Sequence, residues 1–375
     1  MAALAASSSR MHRDYESDDE SDALSSVGMG SYAPSSVSTS ATSYDVDVSI
    51  RSASPAPSVW SITNSMRERI FRHEYGRGLN NYSDVYRLPA DEEELERLDK
   101  QHQMFIEVMG GKYPPPMDEV LAEDGSGQTK ACIDLGCGSG CWIRDVALDY
   151  PHCSAVAVDL VPMQAAIMPP NLRSEVDDIN LGLEHFYGAF DVVHTRLVSS
   201  GIRDYAGLID HMTRVLRPGG LLELFEFDFR VYDESKKPYI CNLNVLQPPW
   251  TPLWMAMAHQ AVRRRGGNVD AANLLERWVR EHRCLTDVVY REYWIPTNPW
   301  LRGNDEEAIR QRAFGEVMRD DIKTFLRSGR PLLLSSGFPE YLVNEVQARA
   351  DQELDEGWTP GYILCQSVYA RKERS

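Results

Sequence analysis

Ala131-Cys-Ile-Asp134-Leu-Gly136-Cys-Gly138-Ser-Gly140-Cys-Trp142 is a short apolar run that opens into three glycines at every second position and then into a helical pattern. A strand, a tight turn and a helix in that order are the first unit of a parallel α/β sheet. Glycine suits such a turn because the backbone visits conformations closed to other residues and must come close to a ligand. The first amides of the helix are then free to meet a carboxylate or a phosphate.

Working outward, the next strand pattern is Ala155-Val-Ala-Val-Asp159, which ends in an acid 19 residues after Gly140. An acid at the end of the second strand of a βαβ unit can accept hydrogen bonds from both hydroxyls of a ribose. The ligand class follows from the spacing. A dinucleotide fingerprint is G-x-G-x-x-G, whereas this loop reads G-x-G-x-G with Asp134 two residues ahead of it. A carboxylate there repels a pyrophosphate but suits an ammonium group. S-adenosylmethionine carries an ammonium and a carboxylate at its amino-acid end, so a methyl donor fits better than a nicotinamide dinucleotide. The run Leu172–Val176 is a third strand candidate followed by Asp177-Asp178. Asp178 is placed to meet the adenine amino group, with Ile179 beside it, although a helix cap would use the same residue.

Further apolar runs at 188–194 and 219–227 alternate with helical patterns near 139–150, 161–168 and 203–217. That alternation predicts an α/β fold, a mostly parallel Rossmann-like sheet with helices on both faces. The final third reads as helices near 250–265, 270–282, 304–327 and 338–355. Strand patterns at 284–295 and 361–370 suit an antiparallel pair closing the sheet edge. Residues 61–125 read as a helical lead-in, in two pieces before residue 110. The first spans Ser65–Glu74, and the second starts after Pro89 with Asp91-Glu92-Glu93-Glu94 at its N-terminus, where the helix dipole favours acids. The loop between them holds Tyr75, Arg77, Tyr82 and Tyr86, a composition that suits a lid over a cofactor. Residues 1–60 hold 17 serines and a charge of −5 from eight acids against three arginines, and the segment is expected to be a disordered tail. Residues 126–375 form the main domain, with its core over 130–230 and substrate-side inserts at about 232–336.

The combined motifs resemble the class I S-adenosylmethionine-dependent methyltransferase superfamily. Asp134-Leu-Gly-Cys-Gly-Ser-Gly140 is similar to its first motif and Ala155-Val-Ala-Val-Asp159-Leu160 to its second. Phe190-Asp-Val-Val-His-Thr-Arg196 resembles its fourth strand, and Arg214-Val-Leu-Arg-Pro-Gly-Gly-Leu-Leu-Glu-Leu224 the segment leading into the fifth. Glu74-Tyr-Gly-Arg-Gly and Tyr86-Arg-Leu-Pro-Ala-Asp91-Glu-Glu-Glu are similar to the lead-in of fungal methyltransferase-domain proteins of the LaeA-like group, which share the H-x-R pattern of His194 and Arg196. The resemblance implies that Asp134, Gly136, Gly138 and Gly140 hold the methionine end of S-adenosylmethionine. It also implies that Asp159 holds the ribose and Asp178 the adenine; Leu160 and Ile179 beside them, and Arg77 and Tyr82 of the lid loop, are further candidates for contact with the cofactor. No N/D-P-P-Y/F tetrapeptide follows the fourth strand, where His194-Thr-Arg-Leu197 stands instead. Nucleobase amines and glutamine amides therefore lose ground as acceptors.

Candidates for the chemistry are His194, whose ordinary pKa suits a general base, and Arg196, which either orients an acidic acceptor or pairs with Glu226 or Asp228. Trp250, Trp254 and Met257 lie at helical spacing, as a core stripe or an acceptor wall. The methyl acceptor is a small molecule of secondary metabolism or a protein side chain. The competing class is an S-adenosylmethionine-binding regulator in a nuclear complex with little catalysis, and an oxidoreductase comes third. A net charge of −17 weighs against nucleic acid as a partner. Arg263, Arg264 and Arg265 are expected to be a solvated helix end. No apolar run is long enough to span a bilayer. Seven scattered cysteines fit no metal spacing, so no metal is expected and the thiols suit the cytoplasm or the nucleus.

Overall fold

The computed structural model describes residues 68–163, 168–357 and 359–374. The serine-rich tail, most of the Ser65–Glu74 segment before Glu68 and part of the 161–168 helix pattern lie outside the described residues.

The sheet has seven strands. β3 (Ala131–Leu135), β4 (Ser154–Asp159), β5 (Leu172–Val176), β6 (Phe190–Arg196) and β7 (Leu216–Phe227) are parallel neighbours. β9 (Tyr362–Lys372) inserts antiparallel between β7 and β8 (Leu285–Pro296), giving the order β5-β4-β3-β6-β7-β9-β8. The sheet is mostly parallel with the expected antiparallel closing pair. β3 is buried along its whole length, as a parallel strand covered on both faces must be.

Alternation sorts the side chains onto the two faces. Ile133, Val156, Val158, Val193, Leu222 and Val368 pack with α4 (Tyr205–Val215) and α6 (Leu275–Glu281). Cys132, Ala155, Ala157, Val192, Leu221 and Tyr369 pack with α2 (Pro116–Leu121) and α3 (Cys141–Asp149). A third cluster gathers Trp254 and Met257 of α5 (Trp250–Arg264) with α7 (Glu306–Ser328), α8 (Arg330–Ser335) and α9 (Glu340–Glu356), against Phe225, Ile295 and Ile363. Those three strand residues lie near the carboxyl ends of β7 and β8 and the start of β9, so this cluster caps the edge where the glycine loop opens. Trp254 and Met257 are core residues, and Met255 of the same helix faces the cavity described below. Arg264 and Arg265 close the end of α5 by donating to carbonyls of Ser336, Ser335 and Asp84.

The first piece of the lead-in departs in part from its helical reading: residues 68–70 are helical, but Phe71–Glu74 is a strand. Phe71–Glu74 (β1) and Arg77–Asn80 (β2) form an antiparallel hairpin closed by Tyr75 and Gly76. Both turn residues have positive φ, 52° and 77°, the geometry of a two-residue type I′ turn. The helical spacing of the apolar residues gave way to this turn. The second piece is helical as expected: α1 (Glu92–Met109) begins at Asp91, whose side chain accepts from the Glu94 amide.

Candidate active site

A cavity of about 1410 Å³, its mouth included, lies over the carboxyl edge of the sheet. Its walls come from the glycine loop, α1, the turns after β4, β5, β6 and β7, and α5 and α7. Asp134, Gly136, Gly138, Asp159, Leu160, Asp178, Ile179, His194 and Arg196 all line it.

The glycine loop is tied to the end of β4 by its backbone. Gly136 and Cys137 amides donate to the Val158 carbonyl at 2.8 and 3.0 Å. The Gly138 amide donates to Asp159 Oδ2 at 2.9 Å, and Val161 donates to Oδ1 at 3.3 Å. Burial pushes the Asp159 carboxyl up to about 6 despite these amides. At Gly138, φ is +55° and an added Cβ would lie 2.9 Å from Leu98 Cδ1, so a side chain would fill the slot between loop and α1. Gly140 does not line the cavity. It starts α3 in the left-handed conformation and packs against Met163.

Asp134 and His194 are register partners on β3 and β6. His194 Nδ1–H donates to Asp134 Oδ1 at 2.7 Å, and the imidazole stacks on Trp142 at 3.6 Å between centroids. Burial holds His194 below its ordinary range, so the ring is neutral at pH 7. Asp178 accepts from the Asn180 amide and side chain through Oδ1, capping a short 3₁₀ turn. Asp178 therefore lines the cavity while it caps that turn.

Arg196 pairs with neither Glu226 nor Asp228. Its two Nη atoms donate to His102 Nδ1 at 3.2 Å, and its Cζ lies 5.5 Å above the Phe105 ring. Glu226 is fully buried and accepts from the Val198 and Ser199 amides and the Tyr205 hydroxyl, which fixes the turn after β6. Asp228 is held by Arg230, Tyr232 and Asn273.

Arg77 and Tyr82 lie away from the cavity. Arg77 forms a bidentate pair with Asp91 at 2.7 Å, locking the hairpin to the start of α1, and Tyr82 is 56% exposed. Tyr86 and Leu88 line the cavity in their place, in a loop held by Asn80 donating to the Tyr86 carbonyl.

Sequence reasoning missed the polar stripe of α1. Glu94, Arg97 and Gln101 are buried, and Arg97 bridges Glu94 (2.7 Å) and Asp321 of α7 (2.8 Å). Gln101 donates to Asp321, and the Ser328 hydroxyl to Glu94. The spacing 94, 97, 98, 101, 105 is helical, but it becomes visible only when charged residues are counted with the apolar ones. Phe227, Phe229, Met318 and Phe325 complete the apolar wall.

The donor set has a definite chemistry. Asp134 suits an ammonium, the Asp159 carboxylate a ribose diol, and Asp178 an exocyclic amine. Ser139 Oγ is buried in the loop with no hydrogen-bond partner, and the loop leaves no room for a Cβ at Gly138. The Asp134, Asp159 and Asp178 acceptors and the free Ser139 hydroxyl fit S-adenosylmethionine.

Comparison with known proteins agrees. A family model described as a methyltransferase domain matches residues 102–282. The chain is 48% identical over 306 residues to the "Secondary metabolism regulator laeA" of Coprinopsis cinerea, covering 81% of this chain and 74% of that one. It is 26% identical over 335 residues to "Methyltransferase pytC" of Aspergillus terreus, covering 88% and 90%. "Methyltransferase str2" of Strobilurus tenacellus is 28% identical over 217 residues, covering 57% and 72%. The chain belongs to the laeA-like family of methyltransferase-domain proteins.

Proposed function

We propose that the acceptor is a small, largely apolar molecule of secondary metabolism that is neutral or cationic. The observation that carries this reading is the contrast between the two ends of one cavity. The glycine-loop end is acidic and rich in backbone donors. The other end is walled by Phe227, Phe229, Met255, Met318, Ile322 and Phe325. Apolar walls with few polar groups are the mark of small-molecule sites. Six carboxylates line the cavity (Glu94, Asp134, Asp159, Asp177, Asp178, Asp321) against two guanidiniums (Arg97, Arg196), so an anionic acceptor meets net repulsion.

When bound, S-adenosylmethionine supplies a methyl group on a sulfonium, ready for displacement. The chain's own contribution is placement and exclusion of water. In this reading His194 is a positioning residue: its Nδ1–H fixes the Asp134 carboxylate toward the cofactor's ammonium. Asp159 and Leu160 receive the ribose, Asp178 and Ile179 the adenine. The phenylalanine wall holds the acceptor, and a neutral acceptor gives up its proton to solvent or to a group of its own.

The test is incubation with methyl-labelled donor and fungal extract, followed by separation of solvent-soluble molecules from protein. Label in the soluble fraction is expected, and label confined to protein would overturn the small-molecule reading. A second reading is favoured by the name of the Coprinopsis relative: a cofactor-binding regulator of secondary metabolism with little catalysis. Its signature is cofactor binding with no label transferred to either fraction.

A further inference from the structure

We propose that Arg196 anchors the carboxylate of the cofactor's methionine end, set in place by the His102–Asp145 pair. The proposal rests on the cavity being the S-adenosylmethionine site. Of the two cavity arginines, Arg97 is already neutralised by Glu94 and Asp321. Among the described residues no carboxylate lies within ion-pair distance of Arg196. Glu223, on the neighbouring strand, feels the Arg196 charge, but burial pushes that carboxyl up to about 8, so it is largely uncharged at pH 7. Arg196 thus brings an uncompensated cation into an acidic cavity.

Its position suits a zwitterionic ligand end. Arg196 lies two residues beyond His194 on β6, so both side chains are on one face, and His194 is bonded to Asp134. Cys141, the first residue of α3, lies 3.9 Å from Arg196 Nη2. The carboxylate would meet the guanidinium and the amides at the start of α3, while the ammonium meets Asp134.

The guanidinium is held by an acceptor of fixed protonation. Arginine only donates, so His102 Nδ1 must be the bare nitrogen, and the ring proton sits on Nε2, 3.2 Å from Asp145 Oδ2. His102 is buried and is faced by Asp145 and Cys141 from α3 and by Arg196 from β6. Lys112 stands behind Asp145 at 3.5 Å. Burial is the largest influence and opposes a charge on His102, but the hydrogen bonds to Asp145 and Cys141 together outweigh it and raise the group above its ordinary range. A proton on Nδ1 removes the acceptor and sets two cations against each other, so Arg196 loses its support as the pH falls below neutral.

The test is calorimetric titration of the full chain with S-adenosylmethionine and with its decarboxylated analogue. The wild type is expected to prefer the carboxylated ligand by about 10- to 100-fold. Arg196→Met should erase that preference and leave the decarboxylated ligand's affinity within about threefold. His102→Ala should shrink the preference. His102→Gln, whose amide oxygen can accept from Arg196, should restore it and remove its decline as the pH is lowered. Taking the ratio of the two ligands cancels whatever Asp159 contributes to either. Equal affinity of the wild type for both ligands, or an equal loss of both in Arg196→Met, overturns the proposal. Failure of the wild type to bind either ligand overturns the cofactor site instead. Should Arg196→Met not fold, Arg196→Lys keeps the charge without the fork and is expected to retain part of the preference.

Discussion

The two ends of the cavity are built in different ways. The cofactor end comes from consecutive strand–turn units between Asp134 and Ile179, and much of its geometry is backbone: positive-φ glycines, amides on Asp159, a loop bonded to the Val158 carbonyl. The acceptor end is made of side chains that meet only in the folded chain, from Tyr86 to Cys365. A site built from backbone fails all at once, whereas a site built from packed side chains adjusts. The sharpest break in that contrast is Asp159→Ala. It strands the Gly138 amide and removes the acceptor for the ribose, so S-adenosylhomocysteine should bind about 1,000-fold more weakly by calorimetry. Phe229→Leu at the other end should leave that affinity within about threefold while raising the acceptor's KM. Comparable losses from both substitutions would show that the two ends are not separable.

The acceptor end has one rigid element, the ion cluster between α1 and α7. Arg97→Met leaves Glu94 and Asp321 buried without their cation, at a cost of about 3 kcal/mol or more. Thermal unfolding should show a midpoint lower by several degrees. Adding Glu94→Gln and Asp321→Asn should recover much of the loss. If the single variant melts with the wild type, the cluster is not holding α1 against α7.

The same contrast explains what could be read in advance. The place of Gly136, Gly138, Asp134, Asp159 and Asp178 at the cavity is legible because it depends on spacing along one chain segment, and the parallel sheet brings their turns to one edge. Arg97 and Asp321 are 224 residues apart, and nothing in either neighbourhood marks the partner. Arg77 was misplaced for a related reason. Its tyrosine- and glycine-rich surroundings describe a loop's composition, while its position is set by Asp91 across the hairpin. The β8–β9 pair was legible because 284–295 and 361–370 are runs rich in β-branched and aromatic residues, even though four helical segments were read between 250 and 355.

A proton offers a graded way to weaken the cofactor end. The Asp159 carboxyl titrates at about 6 in the ligand-free chain, because burial disfavours its charge. Accepting from a ribose diol requires the carboxylate, so affinity should be steady above about pH 7 and fall about tenfold per unit below pH 6. Methylthioadenosine, which lacks the amino-acid end, isolates this effect from Arg196. For stability the sign is opposite. A carboxyl raised from 3.8 to about 6 favours the folded state fully below 3.8, and that contribution is lost as the pH rises through 6. A methylthioadenosine affinity that stays flat to pH 5 would remove Asp159 from the ribose contact.

The smallest effect lies in the lead-in, where helix and hairpin make opposite demands on one residue. Tyr75 sits at φ 52° in the hairpin turn, half exposed, a conformation that asparagine adopts more readily than tyrosine. Asn-Gly is the favoured pair for a type I′ turn, so Tyr75→Asn should stabilise the chain by about 0.5 kcal/mol. In a helix the same change would be neutral or unfavourable, because asparagine is no better a helix former than tyrosine. Gly76→Ala puts a side chain at φ 77° with no neighbour within 4 Å, so its cost is conformational alone, about 1 kcal/mol. Opposite shifts of the unfolding midpoint in these two variants are the mark of the hairpin. Parallel shifts would return Phe71–Glu74 to the helical reading and detach Tyr86 from the cavity wall that the hairpin supports.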